Sequence, residues 1–311
     1  MNARQIAVLL VLAAVWGASF LFIKVLVEAG MGPAGLGAAR TSLGVLTLAP
    51  MAWRIRARLP RDRRSWVLLA GLGVLNFALP WTLFALAARD VPSGASSIAN
   101  SSQPLWSAIF ASMLLQSDRL TGVRVFGLAL GFSGVVVLMG EDLLDVGSNE
   151  SRAIVIMLGA TMCYALSGVF IRRRMGHVPA VGLAAGQMGF AALALWPLAL
   201  YSGAFESVSM GAPEWSSVIA LGCLGSGVGV AWYMWLIGEV GPVRASVVTY
   251  LMPPLGVFLG WAVLDERIGW NMVGGLSLVI AGVALVQGIS LRTMKGFRPA
   301  GRQVTAATPP D

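Results

Sequence analysis

Asn76, Asn100, Gln103, Tyr164, Gln187 and Tyr250 are polar side chains set inside long apolar runs, and Trp16, Ser19 and Trp232 occupy comparable positions. Amides and hydroxyls both donate and accept hydrogen bonds, while indole faces offer flat apolar area with one polar edge. Such a set suits reversible binding of a small amphipathic molecule. It does not suit bond breaking. Nucleophilic catalysis needs a serine or thiol paired with a base, and the one histidine, His177, sits beside Arg172, Arg173 and Arg174, away from any serine in an apolar run. Glu28, Asp90, Glu239 and Asp265 all fall at the ends of runs or between them. Cys163 and Cys223 are too few for a disulfide framework or a thiolate metal site, and phosphate-loop and dinucleotide fingerprints are absent. No cofactor, no metal and no enzymatic activity are expected, and the missing intramembrane carboxylate removes the usual proton relay.

Two cations stand out. Lys24 closes the run AAVWGASFLFIK, and Arg40 lies two turns into the next one. Lys24 is long enough to snorkel to an interface; with Arg40 it also suits a cationic rim above a cavity, attracting carboxylates. Pro104, Pro253 and Pro254 are expected kink or gating points. Proline has no N–H, so the carbonyls of Asn100, Thr249 and Tyr250 lose their helix partners and must face protein or a water-filled cavity.

The elements that carry these residues follow from composition. Of 311 residues, 57% are hydrophobic and 12% charged, half the charged share of a soluble domain, so the surface must meet lipid. Runs of about 20 apolar residues fit a bilayer core. Ten are found, at 6–28, 33–53, 66–88, 92–115, 121–140, 152–172, 179–201, 213–237, 242–263 and 268–290. Although Arg4 precedes it, the first run has the length of a span and reads as an uncleaved helix rather than a signal peptide. The net charge of +8 resides mainly in the connections, which favours a membrane over nucleic acid. Seventeen of the 22 basic residues fall on one side of an alternating ten-span topology and three on the other. That split places both termini in the cytoplasm. The fold class expected is an all-α polytopic membrane protein.

The halves also repeat. At an offset of 148, FIK at 22–24 meets FIR at 170–172, and Gly127 and Gly134 meet Gly275 and Gly282. At 150, Pro92, Ala95, Ser96 and Pro104 meet Pro242, Ala245, Ser246 and Pro254. Five spans per half is an odd number, so the second half crosses in the opposite sense, as in many secondary transporters. The expected division is residues 1–145, residues 146–291, and a disordered cytoplasmic tail, 292–311. Gln187 follows Pro179 much as Arg40 follows Pro33, and the two are read as pseudo-equivalent. Gly127/Gly131 and Gly256/Gly260 have the small-xxx-small spacing of close helix packing.

WGASFLFIK in the first span, Pro33 with Arg40 in the second, Pro104 followed by Asp118-Arg119, and Pro254 followed by Glu266-Arg267 resemble the drug/metabolite transporter superfamily, in its ten-helix EamA branch. The resemblance covers about residues 1–290 and is nearest in character to bacterial inner-membrane amino acid exporters of the YddG type. Ser117-Asp118 departs from the glutamate the family often carries, so Asp118 is given no mechanistic role. The resemblance implies an inner-membrane exporter of amino acids and related metabolites that works by alternating access. Its partners would be the small-molecule substrate and lipid, without nucleic acid. A nucleotide-sugar or other anionic-metabolite exchanger is the alternative within the class; a non-transporting scaffold or intramembrane enzyme is the alternative outside it.

Overall fold

Among the described residues ten helical rods form, because apolar runs must satisfy every backbone N–H and C=O internally once water is excluded. The computed structural model describes residues 1–54, 60, 62–115, 120–140 and 148–288. Asp118, Arg119 and the tail 292–311 lie outside them. The rods are α1 (Ala3–Glu28), α2 (Pro33–Arg54), α3 (Arg63–Ala87), α4 (Ser93–Asn100 and Gln103–Leu114), α5 (Gly122–Met139), α6 (Asn149–Met175), α7 (Ala180–Tyr201), α8 (Ala212–Val240), α9 (Pro242–Ala245 and Val248–Leu264) and α10 (Trp270–Gln287). Seven of them are long and apolar enough to cross a membrane unaided, and Val248–Leu264 is a shorter apolar helix. Trp53, Tyr201 and Trp270, exposed by 84%, 92% and 90%, sit at helix ends, where their rings suit the lipid–water boundary.

The packing repeats with the sequence. α1 packs on α9 as α6 packs on α4, and α2 packs on α8 as α7 packs on α3. Three further pairs, α2–α7, α4–α9 and α5–α10, join a helix to its own counterpart. This is the pattern of two five-helix repeats related by a pseudo-twofold axis in the membrane plane.

Small residues set the closest approaches. A Cβ at Gly134 would lie 2.8 Å from the Gly275 carbonyl oxygen, and one at Gly127 would lie 2.9 Å from that of Gly282, so α5 and α10 touch backbone to backbone. On α9, Gly256 makes room for Ser97 of α4, and Gly260 for the side chains of Ser93 and Glu266. Both glycine ladders therefore serve helix packing.

The rods are less regular than their sequences imply. α1 breaks at Ala18, after Gly17, where a Cβ would lie only 2.9 Å from the Met252 carbonyl oxygen. α3 widens to a π-helix at Val74–Ala78, α8 at Ala220–Val228, and α6 ends in one at Ile171–Met175. α4 is interrupted at Ser101 and Ser102, just ahead of Pro104 in the first turn of its second segment. Pro253 and Pro254 instead lie inside a continuous helix, and the break in α9 falls earlier, at Ser246 and Val247. In α9 the Met252 carbonyl beside the two prolines accepts from Ser97 Oγ (3.3 Å).

Candidate functional site

Inward-facing polar residues on α1, α3, α4, α6 and α7 converge on one cavity of about 370 Å³ at the centre of the bundle. Trp16, Ser19, Asn76, Asn100, Gln103, Tyr164 and Gln187 line it, as do Arg40, Phe77, Trp81, Phe84, Ser226 and Tyr233. A second chamber of about 530 Å³ shares Trp16, Gln103, Tyr233 and Thr249 with the first. It continues toward the end of the bundle that holds the start of α1, between Arg124 and Arg172.

Two polar bridges, each joining one repeat to the other, build the walls. On one side Arg40 Nε donates to Ser226 Oγ (3.0 Å), joining α2 to α8. On the other, Asn76 Nδ2 donates to Gln187 Oε1 (2.9 Å), joining α3 to α7, and Ser167 Oγ lies 2.7 Å from Asn76 Oδ1. The offset of 150 that pairs Pro104 with Pro254 also pairs Asn76 with Ser226, and an offset of 147 pairs Arg40 with Gln187, so the bridges are counterparts. Both residues sit on the π-helical turns of α3 and α8. In α8 the wide turn also frees the Gly225 carbonyl, which accepts from Trp16 Nε1 (2.9 Å). That bond fixes the Trp16 indole, which packs against Tyr233 at 5.1 Å between ring centroids.

Arg40 is the only charged group on the cavity wall among the described residues. Its guanidinium carbon lies 3.9 Å from the centroid of the Trp81 ring. Trp81 is itself held edge-on by Phe77, with centroids 5.1 Å apart. The ring face stabilises the cation without neutralising it. The site therefore carries one fixed charge among the described residues. A residue two turns inside α2 with a side chain this long reaches the cavity rather than its mouth.

Lys24 goes elsewhere. Its Nζ donates to the carbonyls of Ala88 (2.9 Å) and Val91 (3.2 Å), with the Glu28 carboxylate at 3.6 Å. Unpaired carbonyls at the end of α3 attract a cation in preference to open water. Lys24 and Arg40 thus form no common rim.

Trp232 and Tyr250 do not line the cavity either. Trp232 is 38% exposed on the outer side of α8, and its neighbour Tyr233 takes the inward place. Tyr250 donates its hydroxyl to Gln287 Oε1 (2.9 Å), tying α9 to α10. Ser226, Phe84 and Tyr233 are wall residues absent from the sequence-derived site. The signal for Ser226 was present, since the internal repeat maps it onto Asn76.

The end opposite the second chamber is shut by packed side chains and two polar ties. Phe20 and Phe84 meet edge-on at 5.6 Å, beside buried Ile23. Lys24 ties α1 to the end of α3. Glu266 reaches back from the end of α9, accepting from the N–H groups of Ser93 (2.7 Å) and Gly94 (3.2 Å) and from Ser93 Oγ (2.9 Å). Asp265, in the left-handed region at φ 53°, turns the chain so that this carboxylate faces the start of α4.

An inverted pair of five-helix repeats around a central cavity, open toward one end and tied at the other, is transporter architecture. A crystal structure of a protein with 20% sequence identity shares the fold with a TM-score of 0.64, covering 93% of this chain and 100% of that one. The uncharacterized transporter YoaV of Bacillus subtilis (strain 168) is 22% identical over 86% of this chain and 91% of its own. A probable terminal-alkyne amino-acid exporter of Streptantibioticus cattleyicolor is 24% identical over 99% of this chain and 98% of its own. A probable amino-acid metabolite efflux pump of Escherichia coli (strain K12) is 24% identical over 91% and 94%, respectively. The EamA-like transporter family matches twice, over residues 4–140 and 151–287, once for each repeat, and the chain belongs to that family.

Proposed function

We propose that this protein exports amino acids, aromatic and other apolar or small ones, together with related metabolites, across a bacterial-type inner membrane by alternating access. The observation that carries this reading is the mixed wall of one cavity. Aromatic faces (Trp16, Trp81, Phe84, Tyr164, Tyr233) stand beside amides (Asn76, Asn100, Gln103, Gln187) and a single guanidinium. A zwitterion finds polar partners for its charged end there and apolar area for its side chain. Two relatives named as an amino-acid exporter and an amino-acid metabolite efflux pump support the same substrate class. The repeats would rock so that the central site meets one side at a time, as residues 1–145 and 146–291 tilt against each other.

Removing the Trp16 indole takes away one aromatic wall and the tie to Gly225. Trp16→Ala is expected to weaken apparent affinity for phenylalanine about tenfold, the equivalent of about 1–2 kcal/mol. Competition transport in proteoliposomes measures this against wild type. The presence of Arg124 and Arg172 along the second chamber favours one other reading, an exchanger of anionic metabolites. If phosphorylated sugars compete while phenylalanine, methionine and threonine do not, that reading replaces the first.

The distribution of basic residues supports an orientation with both termini in the cytoplasm. Single cysteines at Arg63 and Asn149, at the starts of α3 and α6, are expected to react with an impermeant maleimide from the inside and the outside, respectively. Labelling of both from one side would overturn the ten-span topology.

A further inference from the structure

We propose that the cavity holds a carboxylate between the Arg40 guanidinium and the Gln187 side-chain amide, so that a carboxylate is required of a substrate and an ammonium is not. This rests on the transport reading and sharpens it.

Arg40 brings a permanent positive charge into a wall whose other polar side chains are amides, hydroxyls and indoles. One N–H of its fork is used on Ser226, and one face lies on Trp81. Among the described residues no carboxylate pairs with it. A guanidinium has five N–H donors arranged to meet two oxygens side by side, and the remaining donors point to no protein acceptor. Arg40 is half-buried, so its open donors face the cavity, where an anion meets them.

Gln187 supplies the second observation. It is 1% exposed, and its Oε1 is occupied by Asn76, yet its Nε2 has no partner. An orphaned donor this deeply buried is rare in a folded protein. Gln187 lines the same cavity as Arg40 and sits on α7, which packs along α2. The internal repeat makes the two residues counterparts, one charged and one neutral. A carboxylate offers four lone-pair positions and satisfies both.

Nothing comparable awaits an ammonium. No carboxylate lines the cavity among the described residues. An ammonium there has amide oxygens and ring faces, which favour it less than a full counter-charge does. The substrate class is therefore carboxylates bearing an aromatic or apolar group, amino acids among them, and amines are excluded.

The test is calorimetric binding to the full-length protein in detergent, with phenylalanine, 3-phenylpropionate, phenylalaninamide and phenethylamine as probes. Wild type should bind the first two and bind the last two about 100-fold more weakly, the loss of a pair of charge-assisted hydrogen bonds. Arg40→Gln should bring all four within a few-fold of one another. Arg40→Lys should retain the preference at lower affinity, and Gln187→Leu should reduce it about tenfold with the charge intact. The proposal is overturned if wild type binds amide and acid equally, if it binds none of the four, or if Arg40→Gln weakens all four in the same proportion. Flux in proteoliposomes is scored separately. Carboxylate-selective binding without flux of any probe would sink the transport reading while leaving the clamp intact.

Discussion

Gly134→Leu is expected to cost this protein at least about 3 kcal/mol of stability, the upper end of core overpacking, and to lower its unfolding temperature by several degrees. At position 134 a side chain meets facing backbone as well as the Val279 side chain. Its Cβ would lie 2.7 Å from the Val279 nitrogen and 2.8 Å from the Gly275 carbonyl oxygen. Flexible neighbours can move aside, whereas a facing helix cannot without opening the whole α5–α10 seam. Gly71→Leu is the control, since a Cβ there meets nothing within 4 Å. Thermal unfolding of the detergent-solubilised variants measures both. Equal unfolding temperatures would show that the seam is compliant and that its glycines are not needed for close approach.

Glu266→Ala is expected to loosen the closed end of the bundle and speed access to the cavity from that side. The first segment of α4 begins at Ser93 after Pro92, which offers no side-chain cap, so the Glu266 carboxylate caps it from another helix. Without it the N–H groups of Ser93 and Gly94 lose their acceptor at the positive end of a helix, at a cost of about 1–3 kcal/mol. Because α4 and α9 belong to opposite repeats, this cost falls on the conformation in which the two are tied. A loss of about 2 kcal/mol shifts a two-state equilibrium about 30-fold. In proteoliposomes, a cysteine at Ile23 should then react with an impermeant maleimide from the face carrying Asn149 at least about tenfold faster than in the parent. Glu266→Gln, which keeps an acceptor and loses the charge, should fall between the two. Unchanged rates would mean that Phe20 and Phe84 hold that end without help.

The ten rods were legible in the sequence because length and apolarity alone define a crossing helix, and the odd-numbered repeat followed from counting them. The choice of face was harder. In a soluble helix the inward side is apolar and the outward side polar; in a membrane both are apolar, so adjacent residues such as Trp232 and Tyr233 cannot be told apart by periodicity. Polar side chains escape this ambiguity, since lipid rejects them. Asn76, Asn100, Gln103 and Gln187 were found for that reason, and all four are on the cavity wall. Tyr250 shows the limit of the same rule, because its hydroxyl is satisfied by Gln287 outside the cavity. Lys24 and Arg40 required knowledge of their neighbours: the carbonyls at the end of α3 for one, and the Trp81 ring for the other. The π-turns left no sequence mark beyond the glycines of α8.

Those π-turns alter how the chain can be aligned with others. Each amounts to an extra residue threaded into an α-helix, and one residue of an α-helix turns about 100° around its axis. A relative that lacks the insertion in α3 or α8 can be matched correctly only with a gap in mid-helix, where alignment ordinarily forbids one. Matched without it, Asn76 and Ser226 are each paired with a residue that faces about a quarter-turn away. A polar bridge shared with a relative would then look unshared, and a single-codon deletion in either helix would swing the bridge residue out of the wall while leaving the amino-acid composition almost untouched.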